Sequence, residues 1–328
     1  MGAGTLPLEK EGLNMDDLLF SLNTVFPLLL MMAVGFAARR MGWIDAASIR
    51  AINACVFRIF LPLLLFFNLM DMRLEAALDV KALLYALLST LFCFAFMFWL
   101  TPRLVKDRAS RGVVIQGVCR SNYAIFGIPL VTMMYPGGNT AIAALMVAVV
   151  VPVFNVMSTI ALMIYSDEKA SNPWKIIKGV LLNPLILGTV SGFVMWKWGL
   201  KLPATLQTPL RQLSSIATPL ALFLLGASLD FEKAKANGKL LFFSVLGKLM
   251  IVPLIFLSLA VALGVRDVSL AALIAVFASP VSVSSFPMAQ QMGGNDDLAG
   301  GQVVFTTALS IFTVFLWVYL LRSLGFLN

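Results

Sequence analysis

RGVVIQGVCRSNYAIFGIPLVTMMY, residues 111–135, has the length of a bilayer span, yet it carries a charge at Arg120, an amide at Asn122 and a helix-breaking Gly127-Ile128-Pro129 near its middle. A segment that only had to cross lipid would carry none of these. Interrupting a helix inside hydrocarbon frees backbone N–H and C=O groups, which is tolerated only where protein or a water-filled cavity takes them up. Residues 119–129 therefore mark a site. A second interrupted stretch, FASPVSVSSFPMAQQM at 277–292, holds the matching place in the other half of the chain, with Pro280 and Pro287 as its breaks. Paired interruptions of this kind point to a binding site at the centre of a transport fold.

The composition sets the class around these stretches. With 60% apolar residues, 12% charged residues and a mean hydropathy of +0.94, the 328-residue chain has too few polar groups to cover a soluble domain. The reading is an all-α polytopic membrane protein. At about 20 residues per span there is room for about ten helices, placed by hydropathy near 17–38, 49–70, 79–101, 111–135, 139–165, 176–199, 209–229, 239–264, 268–292 and 296–322. Residues 1–14 are polar, without helical periodicity, and are read as a disordered tail or the product of an upstream start, outside the fold in either case. The net charge of +8 is dispersed over short loops with no soluble domain to carry it, so nucleic acid is not an expected partner. Orientation explains it better. Arg39, Arg40, Arg50, Arg103, Lys106, Arg108, Arg111 and the Lys residues at 169, 175, 178, 233, 235 and 239 fall on one side, against eight cations on the other. The first loop is then cytoplasmic and both termini lie outside the inner membrane.

The chain also repeats itself. FPLLLMMAVGFAARRMG at 26–42 aligns with NPLILGTVSGFVMWKWG at 183–199, pairing Pro27 with Pro184, Gly35 with Gly192 and Gly42 with Gly199 at an offset of 157. The same offset carries PLLLF at 62–66 onto PLALF at 219–223, and an offset of 158 carries Ser121 onto Ser279 and Pro129 onto Pro287. Two homologous halves follow: 15–165 with spans 1–5, a short cytoplasmic linker at 166–175, and 176–328 with spans 6–10. An odd number of spans per half inverts the second half. Spans 4 and 9 are then expected to break and cross near the bilayer centre, with Asn122 close to Pro280.

RSNYAIFGIPL at 120–130, NPLILG at 183–188 and SPVSVSSFPMAQQMGGNDDLAG at 279–300 resemble the auxin efflux carrier family, whose bacterial members include proposed malonate and malate carriers. The resemblance covers the chain from Met15 onward. It implies crossed spans 4 and 9, a scaffold of spans 1, 2, 6 and 7, a mobile domain of the remainder, a homodimer through the scaffold and an elevator-type alternation. Two departures stand out: Ser121 replaces the Pro that precedes the span 4 Asn in plant carriers, and the long central loop of those carriers is here only Ser166–Lys175.

Charge narrows the chemistry. All sixteen Asp and Glu fall in loops or at helix ends, and there is no His. Three cations remain inside spans: Arg58, Arg120 and Lys248. An intramembrane charge costs about 2.5–3.5 kcal/mol on insertion scales, and an interior with cations but no anions suits an anionic substrate. Arg58 can snorkel. Lys248 is either a fixed charge replacing a bound cation or a substrate contact. Arg120 is assigned to the substrate. Ser121, Asn122, Tyr123, Asn155, Pro280, Ser282, Ser284 and Ser285 are expected around it, with Ser279 and Gln302 in reach. Gly127, Pro129, Pro280 and Pro287 are read as the helix breaks, and half-helices starting near Ile128 and Ser282 would aim N–H groups and a positive dipole end at a carboxylate. Cys55, Cys93 and Cys119 lack metal spacing and read as small core residues. No metal or cofactor is expected. Without His or a buried acid, an intramembrane enzyme has no base, and a membrane sensor would need an output domain. The expectation is a secondary carrier of small carboxylates surrounded by membrane lipid, with sodium-coupled symport as the rival.

Overall fold

The computed structural model describes residues 15–71, 79–135, 141–166, 173–230 and 237–327. The tail at 1–14 and linker residues 167–172 lie outside the described residues. Those described are helical, with no strand among them. In chain order the helices are α1 (Met15–Arg40), α2 (Ala46–Met70), α3 (Val80–Leu104), α4 (Arg108–Cys119), α5 (Tyr123–Met134), α6 (Ala141–Tyr165) and α7 (Pro173–Leu181). They continue with α8 (Pro184–Lys197), α9 (Ala204–Ser228), α10 (Gly238–Ala262), α11 (Asp267–Ala278), α12 (Ser285–Gln291) and α13 (Asp296–Ser323). Six of them, α2, α3, α6, α9, α10 and α13, are long and apolar enough to cross a membrane by themselves.

The acids that the sequence places at helix ends act there as caps. Asp45, Asp79 and Asp107 accept the backbone N–H of Ser48 at 2.7 Å, Ala82 at 3.0 Å and Ser110 at 3.0 Å, meeting donors that the first helical turn leaves free. At the other end, α1 and α8 both stop on a glycine in the left-handed region, Gly42 at φ 75° and Gly199 at φ 63°, where a side chain would be strained.

Small residues set the packing, as expected where lipid removes the hydrophobic drive between helices. A Cβ on Gly35 of α1 would lie 1.9 Å from the Phe223 carbonyl oxygen on α9. A Cβ on Gly192 of α8 would lie 2.3 Å from the Phe66 carbonyl oxygen on α2. A Cβ on Gly112 of α4 would lie 2.7 Å from the Ala161 carbonyl oxygen on α6.

The breaks differ in position from the sequence reading. The first interruption lies at Arg120–Asn122, and α5 starts at Tyr123 rather than near Ile128. Gly127 and Pro129 sit inside α5. Gly127 is small for a packing reason, since a Cβ there would be 2.6 Å from the Tyr123 ring. Pro129 removes one helical hydrogen bond without ending the helix, a substitution that membrane helices accommodate. The second interruption spans Ser279–Ser284, so Pro280 lies in it, whereas Pro287 occupies the first turn of α12, where its missing N–H costs nothing. The half-helix there begins at Ser285, not Ser282. A third interruption appears where one continuous span over 176–199 was expected: Asn183 caps Leu185 N–H at 2.9 Å and Pro184 opens α8, separating it from the short α7.

Candidate functional site

The two central interruptions meet. The Asn122 backbone N–H donates to the Pro280 carbonyl at 2.8 Å, so the expected proximity of these residues holds. Free backbone groups of one break are thereby satisfied by the other, and the Val281 N–H is taken by the Thr306 hydroxyl of α13 at 3.0 Å.

Arg120 follows the last residue of α4, its N–H closing the final turn on the Gln116 carbonyl at 2.9 Å. Its side chain turns inward and is only 3% exposed. Nη2 donates to Asn155 Oδ1 of α6 at 2.7 Å and to the Ser284 hydroxyl at 2.5 Å, and Nη1 points at the Met288 sulfur. Ser284 is linked to Ser282 by a 2.9 Å hydroxyl contact. Among the described residues this guanidinium has only neutral partners. Its Nε, the Asn122 Nδ2 and the Asn155 Nδ2 are buried donors without an acceptor. Each such orphan costs about 1–3 kcal/mol of desolvation.

Lys248, on the far side of Ser121, is fully buried. It lies in a π-helical turn, Gly247–Ile251, of α10 and donates to the Ser121 hydroxyl at 2.5 Å and to the Phe277 carbonyl at 3.3 Å. The Ser121 hydroxyl in turn donates a hydrogen bond to the Val276 carbonyl, and the Ser279 hydroxyl donates to the Ala275 carbonyl at 2.5 Å. The ammonium is therefore held by oxygens at the end of α11 and the start of the first break. Here it offsets the negative end of the α11 dipole. Arg58 lies in the other π-helical turn, Val56–Phe60, but is exposed and away from the cavity.

A narrow cavity of about 60 Å³ opens beside Arg120. One wall is Arg120, Ser121, Asn122, Tyr123 and Ser282–Ser284; the other is Leu61, Leu64, Leu65 and Asn68 of α2 with Thr218 and Ala221 of α9. Of the expected residues, Asn155 joins through Arg120 and Pro280 through Asn122. Tyr123 contributes its ring, its hydroxyl being committed to the Ala143 carbonyl at 3.0 Å. Ser285 does not line the cavity; its carbonyl accepts Gln116 Nε2 at 3.2 Å behind the site. Gln302 also stays away, packed against Gly117. Sequence reading missed Asn68, Thr218 and Met288. Asn68 was detectable as an amide inside an apolar run, but Thr218 and Met288 carry no signal without the fold.

A larger cavity of about 680 Å³ lies between the ends of α1 and α9 and the start of α13, lined by Arg39, Arg40, Arg50, Asp230, Asp296 and Asp297 among others. At its wall Asn53 of α2 donates to Gln290 at 2.5 Å, and Gln290 to Asp296 at 3.1 Å, tying α2 to α12 and α13.

Comparison with known proteins identifies the family. The membrane transport protein family matches residues 20–318. The "Uncharacterized transporter YfdV" of Escherichia coli K12 is 20% identical over 314 residues, 93% of this chain and 99% of its own length. The "Putative malonate transporter" of Rhizobium meliloti is 28% identical over 149 residues, 45% of this chain and 47% of its own. A family match over nearly the whole chain settles the assignment: the chain belongs to the membrane transport protein family, that of the auxin efflux carriers, and is a transporter, not an enzyme.

Proposed function

We propose that the protein carries small mono- or dicarboxylates across the membrane, binding them at Arg120. The observation that carries this reading is a buried guanidinium held only by neutral partners, with three unpartnered N–H donors, Arg120 Nε, Asn122 Nδ2 and Asn155 Nδ2, around it and no carboxylate in the cavity wall. What these donors lack is an anionic acceptor. A planar guanidinium matches a carboxylate with two parallel hydrogen bonds. The relative named for malonate is consistent with that class.

Ten crossings in two inverted halves, 15–165 and 176–328, provide the framework. Asn122 and Pro280 stand 158 positions apart, at the repeat offset, and touch each other, as residues on a pseudo-two-fold axis do. The return bond is absent because proline has no N–H. Gly35 against Phe223 and Gly192 against Phe66 are the same contact with the halves exchanged. On this reading α1, α2, α8 and α9 form a scaffold through which two copies pair, and the crossing moves past it as an elevator. The cavity, lined by α2 and α9 on one side and by the breaks on the other, supports this reading, since it lies between the two parts that would move past each other.

Sodium coupling is the less favoured reading, because Lys248 already occupies Ser121 Oγ and the Phe277 carbonyl, neutral oxygens that a cation would need. An anion leaving a cell with a negative interior gains about 2.3 kcal/mol per charge per 100 mV without a coupling ion. A thermal-shift screen of the purified protein against mono- and dicarboxylates tests both points. Stabilisation by carboxylates, equal in sodium and in choline, is expected; stabilisation only with sodium would favour symport, and none with any carboxylate would overturn the reading.

A further inference from the structure

Outside the Arg120 cavity, two buried thiols touch. Cys93, midway along α3, points its Sγ at the Sγ of Cys119, the final residue of α4, at 3.4 Å. The two are 6% and 5% exposed, while Cys55 is exposed on α2. A disulfide sulfur pair stands at about 2.05 Å, so closure needs a sulfur displacement of only about 1.4 Å. Core packing explains why each is small and apolar, but not why both face one another across the junction of two helices.

We propose that Cys93 and Cys119 form a reversible redox site, oxidised to a disulfide by a small neutral peroxide. One sulfur attacks the peroxide and takes its OH, becoming a sulfenic acid as the O–O bond breaks and one water leaves. The second sulfur displaces that OH as a second water and the S–S bond forms. Two thiols and one hydrogen peroxide thus give one disulfide and two waters, the sulfurs supplying both electrons. A dithiol reverses the step by exchange. Charge and size select the oxidant: a neutral molecule of this size can enter an apolar wall that excludes glutathione.

The site is coupled to Arg120 by the chain itself. Cys119 immediately precedes Arg120, whose hydrogen bonds to Asn155 and Ser284 are 2.7 and 2.5 Å long. Drawing the end of α4 toward α3 shifts the backbone that carries the guanidinium relative to both partners, and hydrogen bonds of that length tolerate little displacement. This consequence, unlike the disulfide, rests on the carboxylate reading above.

The test uses the full chain with Cys55→Ser, reconstituted in lipid nanodiscs and treated with hydrogen peroxide. Free thiols are counted after denaturation with a maleimide mass tag, alongside intact mass and carboxylate affinity. Both thiols should disappear together, with loss of the mass of two hydrogens, and return with dithiothreitol. Affinity should fall at least about tenfold, the effect of losing one hydrogen bond to a charged group, and recover on reduction. Cys93→Ser and Cys119→Ser variants should keep their affinity under peroxide. The proposal is overturned if both tags still add at a dose that consumes Cys55 in the parent chain, or if the thiols gain oxygen independently. A disulfide that forms with affinity unchanged overturns the coupling to Arg120. If the reduced protein binds no carboxylate, the anion reading fails, and the thiol count alone decides the disulfide.

Discussion

Arg120 and Lys248 are both deeply buried cations, yet their surroundings give them different tasks. Lys248 is held by a hydroxyl and a carbonyl, whereas Arg120 sits among donors that lack acceptors. If Lys248 replaces a bound cation, Lys248→Ala should abolish carboxylate transport or make it depend on sodium. Sodium-independent uptake or release at the normal rate in proteoliposomes would reduce Lys248 to a packing residue. Arg58 is the contrast. The sequence marked it alongside the other two because an arginine inside an apolar run stands out whichever way it faces, and a span with little polar character gives no periodicity to say which face is buried. The structure exposes it, so Arg58→Gln should leave carboxylate affinity within about twofold, below the effect of one lost charged hydrogen bond. Cys55, read as a core residue, is exposed for the same lack of register. The Arg120–Asn155–Ser284 cluster was legible as a list of polar residues in apolar spans, but its partner Met288 was not, since a methionine there looks like any core filler.

Among the helices, the interruptions were legible in number more than in place. Gly127 and Pro129 drew the first break downstream because glycine and proline are the strongest local punctuation; the chain instead stops at Arg120 and restarts behind Asn122, an N-cap residue type. The same signal, Asn183 followed by Pro184, marks the break between α7 and α8, where hydropathy alone runs straight through. Packing contacts at this scale carry a reciprocal prediction. Gly35→Ala and Gly192→Ala each push a methyl into a backbone carbonyl of the neighbouring helix, which should cost about 1–3 kcal/mol of overpacking in each case. Melting temperatures of the two variants in detergent should drop by similar amounts. A clear drop in one and none in the other would mean that the two contacts are not equivalent and would remove a main support for the two-fold relation.

For the molecule as a whole, apolar composition and the 157-residue offset were enough to expect a helical membrane protein with a central crossing, because both are set by sequence and not by packing. Which way the halves face is a matter of charge bias, and it yields a direct check. In a cysteine-free background, Leu324→Cys near the C-terminus should react with a membrane-impermeant maleimide from outside the cell, and Lys239→Cys only after permeabilisation; the opposite pattern would invert the orientation. The repeat also isolates what differs between the halves: the position matching Arg120 at the offset of 158 is Ala278, so on the proposed two-fold reading the meeting point of the two breaks carries one guanidinium and not two. That asymmetry makes Arg120 the centre of the account. The most direct measurement is calorimetric binding of the best-stabilising carboxylate to the wild type, Arg120→Lys and Arg120→Gln, with melting curves to confirm that all three are folded. A lysine cannot reproduce the planar fork, so Arg120→Lys should bind more weakly by about 1.5–3 kcal/mol, or about 10- to 150-fold, and Arg120→Gln should show no specific binding. Affinities within about twofold of wild type in both variants would contradict the assignment of Arg120 to the substrate, and with it the carboxylate carrier.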